Sequence, residues 1–207
     1  MDRSRLEAFS DGVFAVAITL LALNITVKGP GYGRLLHQVG LLWPTLLAYV
    51  VSFFMIGIIW VNHHVLVRSI VVVDRTLLFL NLVLLLFVVL IPSATSTVAQ
   101  YRLAGNLDGR VSVALYAAVF LGMSIGFAAI FEWTLHGERV TWPLPPEQHW
   151  RARARFVSGG LVYLVAIGVA LINALAGFVL IALVAVYYVV ERTPSASPAD
   201  DADEASV

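Results

Sequence analysis

The stretch from residue 77 to residue 98 reads LLFLNLVLLLFVVLIPSATSTV and contains no charged side chain. A helix needs about 20 mostly apolar residues to cross a bilayer, because the hydrocarbon core is about 30 Å thick and each residue rises about 1.5 Å. This stretch is long enough, and three further apolar runs cover residues 8–27, 42–67 and 111–135. The pattern predicts an all-α integral membrane protein.

The last apolar stretch, residues 156–190, is too long for one ordinary crossing. It is interrupted at residues 172–177 by INALAG, in which Asn173 and Gly177 favour a turn. We therefore expect a hairpin of two short helices, which makes six transmembrane helices in total. The preceding loop, residues 136–150, contains three prolines that exclude a helix interior there: Pro143, Pro145 and Pro146.

The composition agrees with a membrane protein and excludes several functions. Of the 207 residues, 60% are hydrophobic and 13% are charged, whereas ordinary soluble domains carry about 25% charged residues. The net charge of zero provides no basic surface for nucleic acid. The chain has no cysteine, which excludes disulfides, thiolate metal sites and cysteine nucleophiles. Common hydrolase and phosphate-loop motifs are also missing, so we expect no enzyme activity.

The basic residues predict the orientation, because Lys and Arg near helix ends concentrate on the cytoplasmic side. If the N-terminus is cytoplasmic, nine of the 13 basic residues lie inside, and the four outside are Lys28, Arg34, Arg102 and Arg110. We therefore expect both termini in the cytoplasm. Residues 1–192 form the predicted six-helix transmembrane domain, and residues 193–207, rich in Pro, Ser, Ala and Asp, form a predicted disordered cytoplasmic tail.

Two groups of polar residues interrupt the first two predicted helices. Ionisable side chains are costly inside a membrane, so each one is a candidate for a functional or a structural role. Because the first helix runs outward and the second returns, we expect Asp11 and His63 to lie at a similar depth and to meet. The two groups are the string Arg5-x-x-x-Phe9-Ser10-Asp11 and the element Trp60-x-Asn62-His63-His64.

Asp11 needs a partner on another helix, because Arg5 is six positions away rather than four. One interpretation is a hydrogen-bonded cluster between helices, formed by Asp11, Ser10, Trp60 and one of the two histidines. The alternative is a proton relay through Asp11 and the histidines.

We expect no metal site in either group. Adjacent His63 and His64 project about 100° apart on a helix, and no acidic residue has the sequence spacing to complete a tetrahedral shell with them.

One face of the first helix carries a stripe of mostly apolar residues at helical spacing. Such a stripe faces lipid or the protein core in one interpretation. In the other it forms the wall of a pore that is closed by an apolar constriction, with one threonine hydroxyl available to an ion. Periodicity alone does not choose between these alternatives. The stripe consists of Gly12, Val16, Thr19, Leu20 and Leu23.

The string that begins at Arg5, followed by GVFAVAITLL, closely resembles the prokaryotic branch of the transmembrane protein 175 family of potassium channels. The Trp60-x-x-His63-His64 element resembles the second helix of that family. The string is a specific signature, and the six-helix plan extends the resemblance over almost the whole chain apart from the tail.

The resemblance implies homotetramers of six-helix subunits in which the first helix of each subunit lines a central pore. Val16, Leu20 and Leu23 correspond to the apolar constriction, and Thr19 to a threonine that contributes to cation preference. Val16 departs from the larger Ile or Leu common at its position, which implies either a leakier constriction or a gate at one of the leucines.

The resemblance also implies that the Arg, Ser, Asp, Trp and His residues of the two motifs hold the helices together and do not touch the ion. Such members lack the usual carbonyl filter. This agrees with our interpretation of Gly31-Tyr32-Gly33 as a turn, since no Thr-Val precedes it.

We therefore expect a potassium-permeable, weakly selective cation channel in the cell membrane of a prokaryote. Its expected partners are potassium ions as the permeant species, membrane lipid and further copies of the chain, with no cofactor and no nucleic acid. The main alternative is a secondary transporter or proton-coupled carrier that uses Asp11, His63 and His64. A structural or assembly protein without ion flux is the third class.

Overall fold

The computed structural model describes residues 2–27, 33–101, 106–136, 139–141 and 146–190. These residues form helices, apart from turns and one isolated bridge between Ile70 and Val140. In chain order the helices are α1 (Arg3–Ala22), α2 (Leu35–Gly40), α3 (Trp43–Ser69), α4 (Arg75–Tyr101), α5 (Leu107–Thr134), α6 (Pro146–Ile172) and α7 (Ala174–Val190). The predicted all-α class is confirmed.

Within the described part of the chain, three helices are long and apolar enough to cross a membrane: α3, α4 and α5. Helices α6 and α7 contain shorter apolar segments, Val157–Ile172 and Ala174–Tyr188. Helix α1 carries four charged side chains in its first half, which shortens its apolar part. The count of six crossings and the cytoplasmic position of the termini stay predictions.

Helix α1 differs from its predicted range of 8–27, because it begins at Arg3 and ends at Ala22. Leu23 is the C-terminal cap, and Asn24 then donates its side-chain amide to the carbonyl of Pro92 at 3.3 Å. The β-branched residues that follow favour extended backbone over helix. The chain therefore leaves the helix where Asn24 bonds to α4.

The sequence prediction was wrong about the start of α6. The helix begins at Pro146, ten residues before the predicted apolar stretch, inside the loop expected to exclude a helix. Proline is favoured in the first turn because it has no N–H to leave unpaired and its φ suits a helix. Helix α6 therefore has 27 residues, so only α7, with 17 residues, fits the expectation of a short helix.

The predicted break between the last two helices is confirmed at Asn173. Its side-chain oxygen accepts a hydrogen bond from the backbone N–H of Ala176 at 3.0 Å, which caps the start of α7. The helices then pass so closely that a Cβ added to Gly177 would lie 2.6 Å from the Cβ of Ala170. Glycine at 177 permits this tight hairpin. The short helix α2 was not predicted.

Helix α1 packs against both α3 and α4, and α5 packs against α4 and α6. The core between them is apolar except for a few polar side chains that satisfy one another. For example, the hydroxyl of Ser52 on α3 lies 2.7 Å from those of both Thr95 on α4 and Tyr116 on α5. This packing presents one face of α1 to the subunit core and leaves the opposite face uncovered.

Candidate functional site

The two faces of α1 have opposite environments. Its buried side chains recur every three or four residues and pack against the subunit: Leu6, Ser10, Phe14, Ala17 and Leu21. On the other side, Val16 is 55% exposed, Leu20 is 39% exposed and Leu23 is 70% exposed. The stripe singled out from the sequence is therefore an apolar surface that the described residues of this chain leave exposed.

Thr19 also lies on this uncovered face. Its hydroxyl donates a hydrogen bond to the backbone carbonyl of Val16 at 2.9 Å. Because this bond uses only the hydrogen, the lone pairs of the exposed hydroxyl oxygen remain available as acceptors. The stripe thus offers one oxygen ligand among apolar side chains.

A buried polar triangle joins three helices behind that stripe. The amide of Asn81 on α4 donates to the Ser10 hydroxyl on α1 at 3.0 Å, and its oxygen lies 2.8 Å from Nε2 of His63 on α3. Ser10 in turn donates to the carbonyl of Leu6 at 2.9 Å. Ser10, His63 and Asn81 are all buried. The triangle fixes the positions of α1, α3 and α4 relative to one another.

The surroundings of His63 are aromatic and dry. Its ring centre lies 5.3 Å from that of Phe14, and Phe127 presents an edge at 6.3 Å. Because the Asn81 oxygen can only accept a hydrogen bond, Nε2 of His63 is the nitrogen that carries the hydrogen and donates it. The Nδ1 atom is buried and finds no hydrogen-bond partner among the described residues. In this arrangement His63 stabilises the packing of the helices through aromatic contacts and one hydrogen bond.

A second, more accessible cluster lies beside this triangle, between α1 and α3. Trp60 donates its indole N–H to Oδ1 of Asp11 at 2.8 Å. Oε1 of Glu7 lies 3.0 Å from Nδ1 of His64 and 3.7 Å from Nε of Arg68. The rings of Trp60 and His64 lie 5.7 Å apart. The single cluster expected from the sequence is therefore two clusters, because the adjacent histidines point in different directions.

Other residues of the two motifs lie outside both clusters. Phe9 is 50% exposed, and the side chains of Arg5 and Asn62 form no hydrogen bond or ion pair within the described residues. Arg3 instead donates a hydrogen bond to the carbonyl of Arg68 at 2.8 Å. The arginine nearest the N-terminus thus ties α1 to the end of α3.

Sequence reasoning missed Asn81 and Glu7. Asn81 is the single polar residue between positions 77 and 91, and this isolation was the available signal. Glu7 stands four positions before Asp11, so the two carboxylates share one face of α1.

The structure brings two acidic residues close to one of the histidines, although no sequence spacing predicted a tetrahedral shell there. Ligand atoms of Glu7, Asp11 and His64 lie within 4.8 Å of one another.

Of the predicted turn, Gly31 and Tyr32 lie outside the described residues, and Gly33 has a φ of 79°, which glycine adopts readily in turns.

Comparisons with known proteins give a consistent result. A family model described as endosomal/lysosomal potassium channel TMEM175 matches residues 5–92. A Streptomyces collinus protein named as a potassium channel is 40% identical over 195 residues, which cover 93% of this chain and 94% of that protein. A Chamaesiphon minutus protein, also named as a potassium channel, is 36% identical over 145 residues, 67% of this chain and 69% of that protein.

The fold also matches a solved structure. The crystal structure of a lysosomal potassium-selective channel TMEM175 homologue from Chamaesiphon minutus superposes with a TM-score of 0.77 and 30% identity. The match covers 90% of this chain and 96% of that one. The likeness therefore includes nearly the whole helical assembly.

Proposed function

This chain belongs to the TMEM175 family of ion channels, and from that premise we propose that it forms a potassium-permeable, weakly selective cation channel. The observation that carries the proposal is the 40% identity, over 93% of the chain, to a protein named as a potassium channel. The family and these relatives are named as channels and not as enzymes. The relatives above are prokaryotic, which supports placement in a prokaryotic cell membrane.

We propose that the uncovered face of α1 lines the pore. Three of its members are large apolar side chains exposed on the subunit surface, namely Val16, Leu20 and Leu23. Rings of such side chains offer a cation no oxygen to replace its hydration shell, so a narrow ring is a barrier that opens by widening and wetting. Thr19 supplies the exposed oxygen of the stripe and is the proposed selectivity residue.

A pore with this wall requires several subunits, because the face of one helix cannot enclose an ion path. We propose a homotetramer with four copies of α1 around the axis, as the family resemblance implies. The buried triangle of Ser10, His63 and Asn81 supports this assignment, because it holds α1 against α3 and α4 with the stripe turned away from the core. The motif residues then position the pore helix without contacting the ion.

Recording from purified protein in a planar bilayer tests the proposal. We expect unitary currents carried by potassium, with a smaller sodium permeability measured from the reversal potential under bi-ionic conditions. A carrier that uses Asp11 and the histidines would instead show saturating flux that depends on a proton gradient and no unitary steps. Absence of any flux from correctly assembled protein would leave a structural role and reject the channel.

A further inference from the structure

We propose that Glu7, Asp11 and His64 form a binding site for a divalent transition-metal ion between α1 and α3. The site is distinct from the proposed pore stripe, since Glu7 and Asp11 lie on the side of α1 that faces α3. It requires no ion conduction and therefore goes beyond the proposed function.

The geometry brings three donor atoms of suitable type together. Glu7 and Asp11 are one helical turn apart on α1, so their carboxylates project from the same face. His64 approaches from α3, and one ligand atom from each of the three residues lies within 4.8 Å of the others. Ligands about 2.0–2.2 Å from a tetrahedral zinc ion stand roughly 3.4 Å apart. The proposal requires side-chain rotations that bring these atoms to that distance.

Neighbouring residues hold two of the donors in place. The Trp60 indole N–H bonds to Oδ1 of Asp11 at 2.8 Å, which orients the carboxylate, and Oδ2 is the proposed ligand atom. The His64 ring lies 5.7 Å from the Trp60 ring. Outer contacts of this kind orient ligands in known metal sites and raise their affinity.

A further observation concerns Nδ1 of His64, whose side chain is 25% exposed. Its Nδ1 atom is buried, yet it has no hydrogen bond of acceptable geometry to any described residue. Oε1 of Glu7 is only 3.0 Å from it. The two atoms therefore lie at ion-pair distance without the geometry of a hydrogen bond. A cation between them would satisfy both.

The donor set selects the class of ion. One imidazole nitrogen and two carboxylate oxygens suit zinc, manganese or cobalt, with water in the remaining positions, whereas potassium has little affinity for imidazole. Arg68 is the competitor, because its guanidinium lies 3.7 Å from Glu7 and is 68% exposed. Displacing it into solvent would free Glu7 for the metal.

Zinc binding to the purified full-length protein, prepared in detergent without a polyhistidine tag, tests the proposal by isothermal titration calorimetry. We expect about one zinc ion per subunit. Glu7→Gln, Asp11→Asn and His64→Gln should each weaken binding by roughly tenfold or more, because each removes one donor. The matched control His37→Gln, an exposed histidine on the short helix α2, should bind zinc like the parent.

The variant Arg68→Gln distinguishes an effect on the proposed metal site from a general effect on folding. It removes the competing cation, so zinc should bind several-fold more tightly, whereas a variant that disturbs folding would bind more weakly. No zinc binding by the parent protein, parent-like affinity in His64→Gln, or weaker binding in Arg68→Gln would each overturn the proposal. None of these outcomes depends on ion flux, so they leave the proposed channel function untouched.

Discussion

Asn81 on α4 donates its side-chain amide to the hydroxyl of Ser10 on α1 at 3.0 Å, and both side chains are buried. The same amide group bonds to His63 through its oxygen. One side chain in an otherwise apolar stretch thereby connects α1 with the two helices that pack against it, α3 and α4.

Replacing Asn81 by Ala should lower the stability of the protein. The change removes the hydrogen bond that the Ser10 hydroxyl accepts and leaves Nε2 of His63 without its buried partner. An unsatisfied buried polar group costs roughly 1–3 kcal/mol. The melting temperature of the detergent-solubilised protein, monitored by size-exclusion chromatography after heating, measures the loss of stability. Asn62→Ala is the matched control, since the Asn62 side chain is half-buried and forms no hydrogen bond within the described chain. Equal melting temperatures for both variants would contradict the role of the triangle.

We expect His63→Ala and Asp11→Ala to reduce yield or tetramer stability more than they change ion selectivity. The loss should be larger for His63, because it is completely buried against aromatic rings, whereas Asp11 is half-buried and bonds to an exposed Trp60. Asp11→Asn keeps an oxygen for that indole and serves as the conservative control. A stable tetramer with altered permeability would place these residues in the conduction path.

Shortening the apolar side chains of the proposed constriction should raise basal current. Leu20→Ala or Leu23→Ala widens the ring and lowers the barrier to wetting. Leu21→Ala is the adjacent control: Leu21 is fully buried on the opposite face, so its loss should destabilise the subunit by about 2–5 kcal/mol without opening the pore. Recording in planar bilayers distinguishes the two effects. Parent-like current in both stripe variants would place the pore elsewhere.

Thr19→Ala should reduce the preference for potassium over sodium without abolishing conduction. The substitution removes the one side-chain oxygen of the stripe while keeping its helical backbone. The reversal potential under bi-ionic potassium and sodium conditions reports the change. Thr97→Ala on α4 is a suitable control, because that exposed hydroxyl also bonds to its own helix backbone, at 3.0 Å, but lies outside the stripe. An unshifted reversal potential in Thr19→Ala would reject this role.

The hairpin of α6 and α7 should not tolerate a side chain at Gly177. A Cβ there would lie 2.7 Å from the Cα of Ala170, so Gly177→Ala forces the helices apart and should cost about 1–3 kcal/mol. Gly168→Ala is the control, since nothing lies within 4 Å of a Cβ added there and alanine favours a helix by up to about 1 kcal/mol. Opposite shifts in melting temperature are expected. A Gly177→Ala protein as stable as its parent would argue against the close approach.

Reporter fusions test the predicted orientation. A reporter after Val207 should face the cytoplasm and one near Arg102 the outside, because nine of the 13 basic residues lie on the cytoplasmic side in this arrangement. A reporter after residue 34 should agree with the one near Arg102. An external C-terminus would mean that the last two helices do not form two crossings.

Much of this molecule follows from the sequence because lipid leaves few choices to a backbone. Apolar length fixes where helices lie, since every buried N–H and C=O must be paired within the segment. The break between α6 and α7 at Asn173 could likewise be predicted from the sequence, because the Asn173 side chain can cap the next helix. Helix ends were less readable: α1 stops before Leu23 because of a side-chain bond from Asn24 to α4, a contact remote in sequence.

Periodicity identified the stripe on α1 and the polar side chains around it, but only the packing of α1 against α3 and α4 decided which face is buried. Sequence proximity suggested one cluster around His63 and His64. The helix instead turns His63 to Asn81 in the core and His64 to Glu7 nearer the surface. These pairings join residues far apart in the chain, and helical periodicity describes one helix at a time. Which side chains meet therefore depends on how the helices are oriented against each other.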